Sequence, residues 1–223
     1  MNKISMFLKV KNKIIHVKNI FFTSLNFFYH KFIRKISPPK LSIENDKILI
    51  HLGCGPIDLE GYINVDTIPY AHVHHVQDVS NLNVFPDEYA DLIYACHVLE
   101  HISHIETVKI LKEWRRVLKN GGILRLSVPD FDKLLDIYFL ENRNIISIIG
   151  PLMGGQDNIY NYHKAVFNEK YLIELLKVVG FKNIRHWTPN EVHLIKRVED
   201  WSTKLYEFNS KKHYISLNLE AIK

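Results

Sequence analysis

Two cysteines in 223 residues, Cys54 and Cys96, give no basis for a disulfide framework. Long apolar runs are missing too. In residues 1–40 the longest uncharged stretch, residues 19–30, has 12 residues, well short of the ~20 that a membrane-spanning helix needs. No small-residue cleavage site follows it, so neither a transmembrane anchor nor a signal peptide is expected. Residues 1–40 also contain no Asp or Glu, against nine Lys or Arg. The net charge of +5 is therefore local, because the rest of the chain holds 20 basic and 24 acidic residues. A nucleic-acid groove wants basic residues spread along the site, so no nucleic-acid partner is expected. Internal repeats and low-complexity tracts are likewise absent.

What is present suits a single core: 47% of the residues are hydrophobic. The chain divides into a basic N-terminal extension, residues 1–40, and one domain, residues 41–223. In the extension Phe21, Leu25, Phe28 and Phe32 recur at helical spacing before Pro38 and Pro39, which predicts an amphipathic helix. Such a helix either packs on the domain or lies on an anionic membrane surface with its aromatics inserted.

The domain is organised around residues 48–66, ILIHLGCGPIDLEGYINVD. An apolar run stops on Gly53-Cys54-Gly55, and a second apolar run ends on Asp66. This predicts strand, glycine loop, strand, with Asp66 placed to accept hydrogen bonds from a ribose diol. Three further blocks follow: VQDVSNL around Asp78, ADLIYACHVLEHI over residues 90–102, and EWRRVLKNGGILRLSVPD over residues 113–130. In this order the four blocks resemble the class I S-adenosylmethionine (SAM) dependent methyltransferases. The likeness runs over roughly residues 47–187 and looks closest to the type 11 branch, whose members often serve glycan biosynthesis.

The resemblance implies an α/β, Rossmann-like fold: a seven-stranded, mostly parallel sheet with the last strand antiparallel, here preceded by the N-terminal helical extension. It implies SAM as cofactor, bound at His51, Gly53, Cys54, Gly55, Asp66, Asp78, Val79, Ala95 and His97. Asp66 would hold the ribose hydroxyls, and Asp78 with the Val79 amide the adenine. It also implies a cytoplasmic protein that methylates a small-molecule acceptor, with a sugar or lipid-linked glycan hydroxyl as first choice. The chain departs from the family where His51 replaces the usual acidic residue and Pro56-Ile57 replaces a small residue after the loop. So few residues separate the first two strands that the first helix is expected to be a single turn.

A hydroxyl acceptor must lose a proton, and imidazole titrates near neutrality, so His97, His101 and His163 are the candidate catalytic bases. His72, His74 and His75 lack a companion cysteine or carboxylate cluster, and no metal site is expected. The spacing predicts a third strand over residues 71–79 and a helix over 105–118 that faces the core with Ile105, Val108, Leu111, Trp114 and Leu118. It further predicts a strand over 123–128, helices over 133–142 and 171–179, and strands over 181–187 and 214–222, the last one half-exposed. Two rival readings are a non-catalytic SAM-fold adaptor and a nucleotide-binding oxidoreductase. In the second, the diol-binding acid usually lies ~20 residues past the glycines, whereas Asp66 follows Gly55 by 11.

Overall fold

The computed structural model describes residues 39, 46–188 and 199–223. The expected N-terminal helix falls in residues 1–38, outside the described residues. Among the described residues, no helix is long and apolar enough to cross a membrane.

Seven strands form one sheet in the order β3-β2-β1-β4-β5-β9-β6. β1 (Leu49–Leu52) lies between β2 (Tyr62–Asp66) and β4 (Ala90–Cys96), parallel to both. β3 (His75–Val76) extends the sheet beyond β2, and β5 (Leu118–Pro129) continues it beyond β4, again in parallel. β9 (Ser216–Ile222) runs antiparallel between β5 and β6 (Lys182–His186). The expected seven strands with a reversed last one are present. That strand is mostly buried instead of half-exposed, because it occupies an interior place in the sheet.

β1, β2 and β4 are short apolar runs buried on both faces, as parallel strands are when other layers cover them. Helix α1 (Thr107–Val117) covers one side and buries Ile110, Leu111, Trp114 and Val117. Its indole is fully enclosed and donates from Nε1 to the Val79 carbonyl at 2.8 Å, tying helix to sheet end. Losing so large a buried side chain typically costs roughly 3–5 kcal/mol. The register differs from the expected one: Ile105 precedes the helix and is 79% exposed, while Val108 is only partly buried. Ile110 and Val117 take the inward positions.

Helix α2 (Phe131–Leu140) starts where Asp130, its N-cap, accepts from the Asp132 amide. A short helix α3 (Ile149–Met153) follows, and α4 (Glu169–Val179) ends on Gly180 at φ +97°, the left-handed close that glycine favours. Two expectations fail locally. The predicted third strand over 71–79 shrinks to two residues. The predicted single-turn helix is absent, and residues 53–61 cross from β1 to β2 as turns. Gly53 at φ +60° and Gly55 at φ +53° hold left-handed conformations there that an α-helix excludes. A small hairpin, β7 (Tyr206–Phe208) and β8 (Lys211–His213), was not anticipated. Its turn places Asn209 and Ser210 at φ 48° and 63°, the two positive values that a two-residue hairpin loop demands.

Candidate active site

The carboxyl ends of β1, β2 and β4 deliver the glycine loop, Asp66 and His97 to one edge of the sheet, where ligands bind in open α/β folds. Two cavities meet there. The first, about 490 Å³, is lined by Gly53, Gly55, Asp66, Asp78, Val79 and Lys164, among others. The second, about 530 Å³, is lined by His51, Cys54, Cys96, His163, Asp200, Trp201, Lys204 and Tyr206, among others. Gly53, Gly55, Pro56, His97, His101 and Asn161 line both. A larger groove of about 1170 Å³ opens along α1, with charged Lys109, Lys112, Glu113 and Arg116, and includes neither the glycine loop nor these histidines.

The two loop glycines have different reasons to be glycine. A Cβ on Gly53 would stand 2.5 Å from Val98 Cγ2, so this residue lets the loop pack on the segment after β4. A Cβ on Gly55 would meet nothing within 4 Å, so here the backbone is open towards the cavities. Asp66 braces the turn: its Oδ2 accepts from Gly55 N at 2.8 Å and its Oδ1 from Ile68 N at 2.7 Å. Burial raises the Asp66 carboxyl above the usual range, and those amides pull it back. The Thr67 hydroxyl also bonds this carboxyl, which still has lone-pair capacity for a ligand hydroxyl. Exposed Asp78, which also lines the first cavity, accepts from Ser80 N at 2.8 Å.

His51 lines the second cavity and is absent from the first; its Nδ1 lies 3.2 Å from Asn64 Oδ1, and burial lowers its pKa to about 4. Cys54 and Cys96 form no disulfide and lie beside the same cavity, the second thiol pushed well up by burial. Ala95 is enclosed in the core and lines neither cavity. His72 Nε2 sits 3.0 Å from the Gly55 carbonyl, while His74 Nδ1 accepts from Asn64 N at 2.9 Å, so both help to shape the loops around β2.

His97, His101 and His163 come together, although 62 residues separate the last two. Their rings enclose one acid that sequence reasoning left without a role, Glu100. His97 takes the left-handed conformation at φ +52°, uncommon for a residue with a Cβ, as the chain leaves β4. His97 Nδ1 lies 3.3 Å from Glu100 Oε1, and His163 Nε2 lies 4.0 Å from the same oxygen. The His101 and His163 rings meet edge to face at 4.8 Å. His163 is carried in because Lys164 N and Ala165 N donate to the Glu100 carbonyl at 2.7 and 3.1 Å. Gly154 permits the approach: a Cβ there would be 2.6 Å from the Asn161 carbonyl and 3.0 Å from His163 Cδ2.

Burial dominates the electrostatics of this cluster. Glu100, 1% exposed, is pushed up to about 8 by desolvation, its own amide pulling weakly the other way. His97 falls to about 3 and His163 to about 4, through desolvation first and neighbouring imidazoles second; His101 falls as well. At neutral pH the cluster therefore holds neutral imidazoles around a carboxyl that retains its proton. The signal that could have found Glu100 is the His97-Val98-Leu99-Glu100-His101 spacing, which in a single helical turn after a strand brings residues three apart to one side.

The seven strands and the antiparallel β9 match the arrangement expected from the resemblance. A methyltransferase of this type from Archaeoglobus fulgidus, described as SAM dependent, superimposes with a TM-score of 0.50 at 15% identity, over 88% of this chain and 93% of that one. This is the class I methyltransferase fold. Residues 63–126 match the family model described as a methyltransferase domain, type 11. Curated relatives include the ubiquinone/menaquinone biosynthesis C-methyltransferase UbiE of Vibrio vulnificus, 28% identical over 123 residues, or 52% of this chain and 46% of that protein. The same enzyme of Vibrio campbellii is also 28% identical, over 52% of this chain and 47% of its own length. The chain thus spans about half the length of the curated relatives it matches.

SAM fits the residues present: the open Gly55, the paired Asp66 oxygens and the 490 Å³ cavity beside them form a cradle of suitable size and polarity.

Proposed function

We propose that this protein is a SAM-dependent methyltransferase whose acceptor occupies the second cavity and loses a proton to the histidine and Glu100 cluster. One observation carries the reading: His97 and His101 line both cavities, so a donor on the Asp66 side and an acceptor on the His163 side would meet across them. Bound SAM supplies a methyl group on a positively charged sulfur, which makes the carbon electrophilic without further activation. The chain's own part is to hold the cofactor through Gly53, Gly55, Asp66 and Asp78, to close the acceptor cavity with residues 150–163, and to receive the proton. Neutral His163, His101 and His97 offer lone pairs to take it, and Glu100, protonated at neutral pH, can keep it only as pH rises towards about 8 and the acid ionises.

A sugar or lipid-linked glycan hydroxyl is the acceptor class we favour. Support comes from a cavity wall that mixes the aromatic Trp201 and Tyr206 with polar Lys204, Asp200 and Asn161, a composition suited to stacking a ring while pairing its hydroxyls. The C-methyltransferase activity named for the UbiE relatives favours a second reading, transfer to carbon of a quinol-type ring, which makes the same demand for a proton acceptor. Residues 1–40, with nine Lys or Arg and no acid, would serve as a contact with an anionic membrane surface, and co-sedimentation of the full chain with anionic vesicles tests that role. The function is tested by calorimetry with SAM, followed by transfer of labelled methyl to sugar nucleotides, lipid-linked sugars and demethylated quinols. No heat with SAM would sink the methyltransferase reading; label in the quinols alone would sink the glycan choice.

A further inference from the structure

The cluster at the cavity junction consists of acceptors facing acceptors. His163 Nδ1 lies 3.0 Å from the Pro151 carbonyl and His101 Nδ1 lies 3.2 Å from the Tyr162 carbonyl. A carbonyl only accepts, so both Nδ1 atoms carry hydrogen and both Nε2 atoms hold a lone pair. His97 is fixed the other way round. Its Nε2 is 2.8 Å from Ser216 Oγ, whose single hydrogen goes to the Trp201 carbonyl at 2.6 Å. Nε2 must then donate to the hydroxyl, leaving the lone pair on Nδ1, 3.3 Å from Glu100 Oε1. Neither Glu100 oxygen receives a hydrogen bond from another described residue. Three imidazole lone pairs and a buried carboxyl therefore converge without a donor, and the one proton that Glu100 can carry serves a single pair.

We propose that Glu100, His101 and His163 bind a divalent first-row transition-metal ion, with His97 beside it. One ligand atom from each of the three lies within 4.8 Å of the others. Two metal bonds of ~2.1 Å at the tetrahedral angle put ligand atoms ~3.4 Å apart, so the His163 to Glu100 pair at 4.0 Å must close by about 0.6 Å and the widest pair by up to about 1.4 Å. Rotations of the Glu100, His101 and His163 side chains must supply that closure. The backbone carbonyls on His101 and His163 are the outer partners that fix a ligating imidazole's tautomer and direction. Two imidazoles and one carboxylate suit zinc, iron(II) or manganese(II), and they leave coordination positions open. An ion held there would stand beside the cavity that His97, His101 and His163 line, and would make an acceptor oxygen bound to it more acidic. That use rests on the methyltransferase reading; ion binding does not.

The test is to strip the full chain with a chelator and titrate it with Co²⁺ by visible absorption, then compete with Zn²⁺. One equivalent should bind and give the spectrum of nitrogen and oxygen ligands. Glu100→Gln and His163→Ala should each weaken binding by more than the roughly 10- to 100-fold that an outer partner is worth. His186→Ala, at an exposed pair with Glu169, should change nothing. Absence of stoichiometric binding, or binding undiminished in Glu100→Gln and His163→Ala, overturns the proposal. Circular dichroism checks that both variants are folded, and His101→Ala decides in place of either one that is not. Calorimetry of the metal-free chain with SAM separates the two readings: lost SAM binding with intact Co²⁺ binding defeats only the methyltransferase, and the converse defeats only the ion site.

Discussion

His163 Nε2 stands 4.0 Å from Glu100 Oε1, a contact between residues 63 positions apart that brings the loop after α3 onto the turn after β4. The pair joins two groups whose pKa values burial moves towards each other and past each other: the acid rises to about 8 and the imidazole falls to about 4. The ordinary order of a histidine above a glutamate is reversed, so the proton rests on the acid.

That reversal fixes how stability should vary with pH in the metal-free protein. The folded Glu100 pKa exceeds its unfolded value of about 4.5, so the folded state binds the extra proton, and stability falls as pH rises from there through about 8. His97 and His163 have folded values of about 3 and 4, below 6.5, so their contribution is complete above 6.5 and is lost as pH falls through those values. With the histidine contributions complete above 6.5, denaturant unfolding should show the chain losing stability between about pH 6.5 and 8 and levelling off above that, with a limiting slope of roughly 1.4 kcal/mol per pH unit for one proton. Glu100→Gln should flatten that decline. An unchanged decline in the variant would locate the titrating group elsewhere.

Asp66 braces the glycine loop and is the acid we propose for the ribose of SAM. Its two oxygens hold Gly55 N and Ile68 N, and a hydrogen bond to a charged group is worth ~1.5 to 3 kcal/mol. Asp66→Ala should weaken SAM binding about 10- to 100-fold by calorimetry and also lower the melting temperature, since two amides lose their acceptor. Asp66→Asn keeps the shape and should recover much of the melting temperature but less of the affinity. Equal recovery of both would reduce Asp66 to a structural role.

Much of this arrangement was legible in the chain because it is local. The alternation of apolar strands with glycine turns reports β1, β2, β4 and β5, and the acid at the end of β2 sits where the run of residues stops. What escaped was set by tertiary neighbours. Ile105 has the spacing of a core residue, yet the helix begins two residues later and turns it to solvent. Glu100 looks like any surface acid in a helical turn, and only the arrival of residues 163–165 on its carbonyl seals it from water. The His51 ring is captured by Asn64 and Tyr94, contacts made across β1, β2 and β4 that no window of sequence contains.

The glycine loop offers a sharper contrast. Gly53→Ala would add a left-handed strain of roughly 1–2 kcal/mol to a collision with Val98, and should unfold the chain several degrees earlier. Gly55→Ala carries the same backbone strain without the collision, so its melting temperature should fall less. Its methyl group would project into open space beside the cavities, and SAM affinity should drop out of proportion to the loss of stability. Thermal melts and calorimetry on the two variants check this, and a Gly55→Ala chain with native affinity would move the cofactor away from the loop.

His163 lines the second cavity and is absent from the lining of the first, which separates its effect on chemistry from its effect on cofactor binding. His163→Ala should leave SAM affinity within about twofold while turnover on a working acceptor falls by ~10²-fold or more, the usual worth of a positioned proton acceptor. The pH profile carries additional information. If the proton ends on Glu100, turnover in the metal-free wild type should climb as pH approaches the acid's value of about 8, and the Glu100→Gln variant should lose that rise. Imidazole added to His163→Ala, entering the space the ring vacates, should restore part of the rate. Normal turnover in His163→Ala would remove this residue from the proton path and leave His101, which lines both cavities, as the group to substitute next.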